Sequence, residues 1–331
     1  MKTILHKLEY ALVVVLALTV TSTKADTFGS GGNTFNIDFV TVGNPGNAND
    51  SGTTGSYFSP YGGVSYTFRM GTYEISRDMI TKANNGGTLG LTLQNMTSYG
   101  GNVGTHPATG LSWNQAARFV NWLNVSSGWS PAYKFAVQPG GVGYTGNENL
   151  ALWSPSDGGY DALNLYRNSN AHYFLPSENE WYKAAFYSGS GTTYFDYATG
   201  SDTMPTAVMS GTLSGTAVYN QLGAQGPADI FLAGGLSHYG TMGQTGNVWE
   251  WTESAADGSN NVSSESRAVR DMYWSQDVIL MRSDNRFDAV PTVSPDIAGG
   301  FRVASVPEPS CALLILGSGL VFLARRRRAA F

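Results

Sequence analysis

Two segments of the chain place apolar residues at the three-to-four-residue spacing that gives a helix one buried face. They are residues 112–124 and 177–187. Each begins with a serine that is followed three residues later by Gln115 or Glu180, the pairing of a capping box at the start of a helix. The pattern therefore predicts two main helices, and residues 76–83 are expected to form a shorter one.

Short apolar runs separated by Gly and Asn turns predict strands elsewhere. Residues 34–42 alternate between apolar and polar and are expected to form an edge strand that leads into the domain. Further strands are expected at 65–73, 216–219, 247–252, 268–273, 278–281 and 300–304. Because no strand alternates with a helix as in βαβ units, the chain is predicted to be α+β, loop-rich and antiparallel.

The N-terminus has the three parts of a secretory signal peptide. Lys2, His6 and Lys7 precede an apolar run at 10–20, and small and polar residues follow up to Ala25. A transmembrane helix is the alternative, but a bilayer span needs roughly 20 apolar residues, and this run is too short. We therefore predict a signal peptide at 1–25, removed by signal peptidase.

The C-terminus has a different three-part order. A Pro-Glu-Pro sequence at 307–309 precedes an apolar stretch at 311–324 and then four arginines, Arg325 to Arg328. An arginine cluster after an apolar stretch stays in the cytoplasm, which leaves everything upstream outside. Because the stretch is short for a lasting span, we expect a transient anchor in the inner membrane.

Removing these ends changes the charge and the cysteine content. The whole chain has 24 acidic and 19 basic residues, a net charge of −5, and the part between the ends keeps 22 acidic and 12 basic residues, a net charge of −10. Such a chain is not expected to bind nucleic acid, whereas a divalent cation would suit it. The sole cysteine, Cys311, lies in the C-terminal stretch, so the mature part has no disulfide and no thiolate.

The C-terminal segment resembles the PEP-CTERM sorting signal of exopolysaccharide-producing Gram-negative bacteria. The resemblance covers residues 306–331 and implies that an exosortase cuts near the Pro-Glu-Pro motif. It also implies a final location in the cell envelope or outside the cell.

The part between the ends resembles the formylglycine-generating enzyme, or sulfatase-modifying factor, domain. The motifs that carry the resemblance are MGTYEIS (70–76), GLSWNQAA (110–117), FLPSENEW (174–181), GNVWEW (246–251) and GGFRVA (299–304). The resemblance covers residues 63–305 and implies a C-type-lectin-like fold, preceded by a Gly/Asn/Ser-rich segment at 26–62. We expect Trp113, Trp181, Trp249 and Trp251 to be core residues, and Arg302 to pair with a buried acid.

The resemblance also implies a chemistry whose residues this chain lacks. The enzyme of the family holds copper with two cysteines, because copper(I) prefers sulfur ligands. The matching positions here are Gln276 and Met281, and the preceding glycine pair is replaced by Asp271 and Met272. Copper chemistry is therefore not expected, and no catalytic residue is assigned.

A second branch of the family, the iron-dependent sulfoxide synthases, uses a histidine cluster. The histidines of the mature part, His106, His172 and His238, are widely spaced and show no H-x-x-x-H pattern. Scattered histidines are more often packed or exposed polar residues than a metal triad, so iron chemistry is not favoured.

Calcium is the metal that the resemblance favours. One site would use the carbonyls of Gly246 and Val248 and the carboxylate of Glu250, which are oxygen donors that suit a hard cation. The chain departs from the family at Gly243, where Asn or Asp is usual. A second site would be formed by Asn220, Gln221, Asp229 and Phe231. The alternative for Glu250 is a structural carboxylate that accepts hydrogen bonds in a buried turn.

These inferences predict an exported cell-envelope protein whose domain binds a ligand, either a glycan such as an exopolysaccharide or a protein, without catalysis. A metal-dependent oxidoreductase related to the formylglycine-generating enzyme is the alternative, and a purely structural matrix component is a third.

Overall fold

The structure is a computed structural model, and it describes residues 24–52, 60–293 and 297–307. Most of the predicted signal peptide, residues 1–23, lies outside the described residues, and so do residues 308–331 of the predicted sorting signal. Among the described residues, no helix is both long enough and apolar enough to cross a membrane.

The strands are short, and β10 and β11 pair with strands that are distant in the sequence. They are β1 (Lys24–Phe28), β2 (Phe35–Val42), β3 (Phe68–Gly71), β4 (Tyr173–Phe174), β5 (Thr206–Ala207), β6 (Thr216–Ala217), β7 (Trp249–Ala255), β8 (Arg267–Arg270), β9 (Phe287–Ala289), β10 (Gly299–Gly300) and β11 (Ala304–Ser305).

Two sheets organise the chain. The larger has the order β1-β2-β3-β11-β4 and is antiparallel throughout. The smaller has the order β10-β7-β8-β9, in which only the β10–β7 pair is parallel. A two-residue parallel pair, β5–β6, stands apart from both sheets. The prediction of an edge strand at 34–42 is wrong, because β1 pairs along the outer side of β2.

Three α-helices lie within the described residues. They are α1 (Arg77–Gly87), α2 (Trp113–Ser126) and α3 (Glu178–Phe186). The serine before α2 and the serine before α3 both form complete capping boxes, as predicted. The helix expected at 76–83 is one turn longer than predicted and ends at Gly87. Helices and mainly antiparallel strands together confirm the α+β prediction.

Two predicted strands take other forms. Val278–Met281 is a short 3-10 turn, because the Asp277 carboxylate accepts the N–H of Ile279 at 3.0 Å and caps it. The expected strand at 300–304 is divided between β10 and β11. This segment carries the chain from one sheet to the other, because Gly300 pairs with β7 whereas Ala304 pairs with β3 and β4.

The tryptophans show where the core ends. Trp113, Trp181 and Trp251 are fully buried, as predicted. Trp249 was expected to join them, but it is only partly buried, because it lines a cavity beside β8 and β9.

Candidate functional site

The segment after β8 carries Gln276 and Met281, which are predicted to lie at the positions of the family's copper-binding cysteines. Gln276 is partly exposed, and its Nε2 atom donates a hydrogen bond of 2.7 Å to the hydroxyl of Tyr273. Met281 is 1% exposed and packs with Tyr197 and Tyr219. A buried thioether of this kind fills core space, and neither position supplies a thiolate.

Glu250 and Arg302 form a buried ion pair at the centre of the fold, and both side chains are 0% exposed. The Arg302 Nη2 and Nε atoms donate to the two Glu250 oxygens at 2.5 and 2.7 Å, and the Trp181 indole donates to the same carboxylate at 2.7 Å. Arg302 also donates to the carbonyls of Gly71 and Met242. The prediction that Arg302 pairs with a buried acid is confirmed.

Two other buried acids, Glu74 and Asp271, lie within the electrostatic range of Glu250. One Glu74 oxygen accepts from the Asn247 amide at 2.9 Å, and one Asp271 oxygen accepts from the Gly246 N–H at 2.8 Å. The second oxygen of each has no hydrogen-bond partner among the described residues. Burial, reinforced by the Glu250 charge, raises the pKa of Glu74 to about 8, and burial raises the pKa of Asp271 well above its usual range.

The first predicted calcium site contains this central carboxylate. Gly246 and Val248 lie in the turn before β7, and Glu250 follows within the strand. Because both Glu250 oxygens already accept from a guanidinium, a calcium ion would have to share them. The absence of a side chain at Gly243 makes room for the Glu74 carboxylate, because a Cβ at position 243 would lie 2.7 Å from it. Calcium binding at this site stays a prediction.

The residues of the second predicted calcium site have different neighbours. The backbone N–H groups of Asn220 and Gln221 each donate at 2.9 Å to carbonyls of the segment 274–276. Asp229 instead caps a 3-10 turn by accepting the N–H of Phe231 at 2.9 Å. The Phe231 ring is 42% exposed. This site also stays a prediction.

The three histidines of the mature part lie in separate surroundings. His106 is half-buried near Asp229, His172 is stacked on Trp129 with a centroid distance of 4.9 Å, and His238 is exposed. In the part of the chain that the structure describes, no three His, Cys, Asp or Glu side chains form a group able to hold a metal ion.

An aromatic cleft of about 400 Å³, which is called the α2 cleft below, opens between α2 and the loop 131–153. Arg118, Trp122 and Val125 line it from the helix, at the spacing of a single helical face. Phe135 and Trp153 line it from the loop. Both tryptophans are partly exposed, so ring surface is available inside the cleft.

The walls of the α2 cleft are held in place by hydrogen bonds. The Asn121 side chain exchanges two with the backbone of Tyr133, at 2.6 and 2.8 Å, and so joins α2 to the loop. The Trp153 indole donates to the Ala132 carbonyl at 3.0 Å, which fixes the orientation of the ring. The cleft is therefore formed before any ligand arrives.

Polar groups lie along the rim of the α2 cleft. The Lys134 ammonium pairs with Asp157 at 2.7 Å and stands 5.7 Å from the centroid of Trp153. Gln138 is exposed, and its side-chain Nε2 atom donates to the Phe135 carbonyl at 2.9 Å. The cleft thus combines flat apolar surfaces with donors and acceptors at its edge.

The sequence is matched by the family model of the sulfatase-modifying factor enzyme 1-like domain over residues 64–306. The chain belongs to this family. Its motifs therefore mark a shared scaffold. The PEP-CTERM protein-sorting motif matches residues 305–328, so the sulfatase-modifying factor domain is exported to the cell envelope and processed by an exosortase.

Solved structures agree on the fold. Treponema denticola variable protein 1 is 19% identical with a TM-score of 0.59, and the match covers 86% of this chain and 100% of that one. CarF is 21% identical with a TM-score of 0.52, over 82% and 99% of the two chains. PvdO from Pseudomonas aeruginosa is 16% identical with a TM-score of 0.52, over 86% and 100%. No curated protein matches the sequence.

Sequence reasoning missed Glu74, Trp122 and Trp153 as site residues. Trp122 lies off the apolar face that helical spacing predicts for α2, and nothing near Trp153 in the sequence shows that it faces α2. For Asp271 the sequence does carry a signal, because the resemblance implies a glycine at this position.

Proposed function

We propose that the mature protein is a noncatalytic ligand-binding domain of the cell envelope, and that the α2 cleft binds a glycan. The observation that carries the proposal is the pair of partly exposed indoles, Trp122 and Trp153, in a cleft of about 400 Å³. A volume in this range accommodates a small ligand such as one or two sugar units.

The chemistry of the α2 cleft favours a glycan over a purely apolar ligand. The C–H face of a sugar ring packs on an aromatic ring, whereas its hydroxyl groups need hydrogen-bond partners at the edge. The cleft provides the indole of Trp153 for the first interaction. Lys134 and Gln138 at the rim provide a donor and an acceptor for the second.

The loss of the family's thiols favours binding over catalysis. The cysteine positions are occupied by Gln276 and by Met281, which is packed among core tyrosines. The scaffold around them keeps its capping boxes and its central Glu250–Arg302 pair. Binding is a function that such a scaffold can perform without its redox centre.

The test is glycan binding by the exported protein on an array, followed by calorimetry with the best glycan. We expect Trp153→Ala to weaken binding by at least tenfold, because it removes the stacking surface. Trp129→Ala is the matched control, since Trp129 is 47% exposed but stacks on His172 outside the cleft. Its affinity is expected to stay within twofold of the parent protein.

Three outcomes would contradict the proposal. Binding that survives Trp153→Ala would place the ligand elsewhere, and an array without any bound glycan would favour a protein ligand or a structural matrix component. The third contradicting outcome would come from metal analysis of the purified protein. Stoichiometric copper or iron together with oxygen consumption would favour a metal-dependent oxidoreductase, whereas calcium alone is compatible with binding.

A further inference from the structure

The residues that line the α2 cleft carry two positive charges, those of Arg118 and Lys134. No acid is among the described residues that line it. Counted in this way, the lining would suit an acidic sugar such as a uronic acid. Whether the two cations can attract a sugar carboxylate depends on which groups already neutralise them.

The charge of Arg118 is used within the protein. Its side chain is 3% exposed, and its Nη2 atom donates to a Glu148 oxygen at 2.7 Å. Its Nη1 atom donates to the Val137 carbonyl at 3.1 Å, and its guanidinium lies over the Phe135 ring, 3.9 Å from the centroid. Arg118 therefore forms part of the cleft wall, and its charge is already neutralised before a ligand enters.

Lys134 is the more exposed cation of the cleft, with 37% of its side chain accessible. Its ammonium donates to one Asp157 oxygen at 2.7 Å, and the same oxygen accepts the N–H and the hydroxyl of Ser154 at 2.8 and 2.7 Å. These hydrogen bonds, that from Lys134 first, lower the pKa of Asp157 to about 2, so this acid is charged at neutral pH. Asp157 does not line the cleft and thus neutralises Lys134 without occupying the binding surface.

A carboxylate on a bound sugar would meet both members of the Lys134–Asp157 pair. Repulsion from Asp157 would offset attraction to Lys134, because the two charges are only 2.7 Å apart. At longer range, the 22 acidic and 12 basic residues of the mature part repel an anionic chain. A neutral sugar avoids both effects, and its hydroxyl groups can still accept from Lys134, whose ammonium has three N–H donors and gives one to Asp157.

We propose that the α2 cleft selects neutral glycans over uronic acids, and that Asp157 and Glu148 set this preference. The proposal rests on glycan binding in the α2 cleft and adds the class of sugar. Both acids are positioning residues, since they act through Lys134 and Arg118, which line the cleft. Their removal should therefore change which sugars bind.

The experiment compares sugars that differ only in a carboxylate. Methyl glucoside is paired with methyl glucuronide, and methyl galactoside with methyl galacturonide, in ligand-observed NMR titrations of the mature protein. At least one neutral sugar is expected to bind at least fivefold more tightly than its uronide. Added salt should narrow this difference, because it screens the repulsion of the uronide, and should leave the affinity for the neutral sugar unchanged.

Asp157→Asn is the variant that should change the preference. It keeps an oxygen that can accept from Ser154 but removes the negative charge beside Lys134, so uronide affinity is expected to rise at least fivefold. Adding Lys134→Gln should cancel this gain, because the attracting charge is then lost as well. Asp288→Asn is the matched control, since it changes the net charge equally but lies on β9, outside the cleft, and its uronide affinity should stay within twofold of the parent.

Glu148→Gln tests the same point at Arg118 without altering the hydrogen bonds of Ser154 beside Trp153. Its uronide affinity is expected to rise at least twofold, a smaller gain because Arg118 is nearly buried. This variant decides the question if Asp157→Asn also loses the neutral sugar.

The proposal is overturned if the parent protein binds uronides as tightly as their neutral counterparts, or if neither variant gains uronide affinity. Failure of the glycan-binding function looks different. In that case no sugar binds, or Trp153→Ala leaves the affinity for the neutral sugar unchanged, and the preference is rejected together with the cleft.

Discussion

Buried carboxylates of two kinds lie close together in this protein, and they differ in what surrounds them. Glu250 has its own arginine, and both partners are completely buried and hydrogen-bonded. Glu74 and Asp271 have no arginine of their own and each keeps one oxygen without a partner among the described residues. These two acids also line cavities, whereas Glu250 lines none of those described.

The difference separates an acid whose ion pair is part of the fold, Glu250, from two acids that the fold leaves without a cation, Glu74 and Asp271. A buried ion pair contributes little net stability over an apolar pair, but breaking it leaves a charge without a partner. A buried carboxyl group without a cation costs stability when it is charged, so its pKa rises and it is held neutral instead. Mutations of the Glu250–Arg302 pair and mutations of Glu74 or Asp271 should therefore change the free energy of unfolding by very different amounts.

The largest effect is expected for Arg302→Met, which leaves the Glu250 carboxylate buried and unpaired. We expect the free energy of unfolding to fall by about 3–5 kcal/mol in chemical denaturation. The control is Arg282→Met, because the Arg282–Asp196 pair is 3.2 Å long and partly exposed, and its loss should cost less than about 1 kcal/mol. Equal losses of stability for the two variants would show that Glu250 does not depend on Arg302 more than an exposed acid depends on its partner.

The second-largest effect is the contribution of Glu74 to the pH dependence of the protein's stability. Its pKa is raised from 4.5 to about 8 in the folded protein, so folding takes up a proton between these values and stability falls as pH rises through them. The parent protein should lose about 3 kcal/mol from this group between pH 5 and pH 8. Glu74→Gln should remove that loss.

Denaturation curves at several pH values measure this difference. Asp78→Asn is the control from the same cavity, because the Asp78 carboxylate is 48% exposed and pairs with Lys82 at the surface. Its pH dependence should follow that of the parent protein. A Glu74→Gln profile that also follows the parent would mean that Glu74 is charged when folded and has a partner.

The sequence predicted the fold where a local signal decided the structure. Ser112 with Gln115 and Ser177 with Glu180 mark helix starts, because a capping box is complete within four residues. The strand predicted at 278–281 is a 3-10 turn in the structure, because four apolar residues fit a strand and a buried turn equally well. Asp277, which caps that turn, was the signal that could have decided it.

The cavities could not be predicted, because they join residues that are far apart in the sequence. Trp249, Asp271 and Phe287 come together through the pairing of β7, β8 and β9. Helical periodicity places Trp122 off the buried face of α2 but cannot show that loop 131–153 forms a cleft beside it. Nor does an isolated acid such as Glu74 reveal from sequence that it is buried.

The smallest effect is expected for Asp271→Gly and tests whether this acid has any role in the fold. Glycine relieves the φ of +68° and removes the unpartnered oxygen but loses the bond to Gly246, so stability should stay within about 1 kcal/mol of the parent. Asn247→Gly is the matched control, because Asn247 has a φ of +67° but bonds both Glu74 and Ala228. Thermal denaturation should show a clear loss for that control, about 2 kcal/mol for two buried hydrogen bonds. If Asp271→Gly lost as much, Asp271 would belong with Glu250 among the acids that hold the fold together, and the contrast between the two kinds of carboxylate would rest on Glu74 alone.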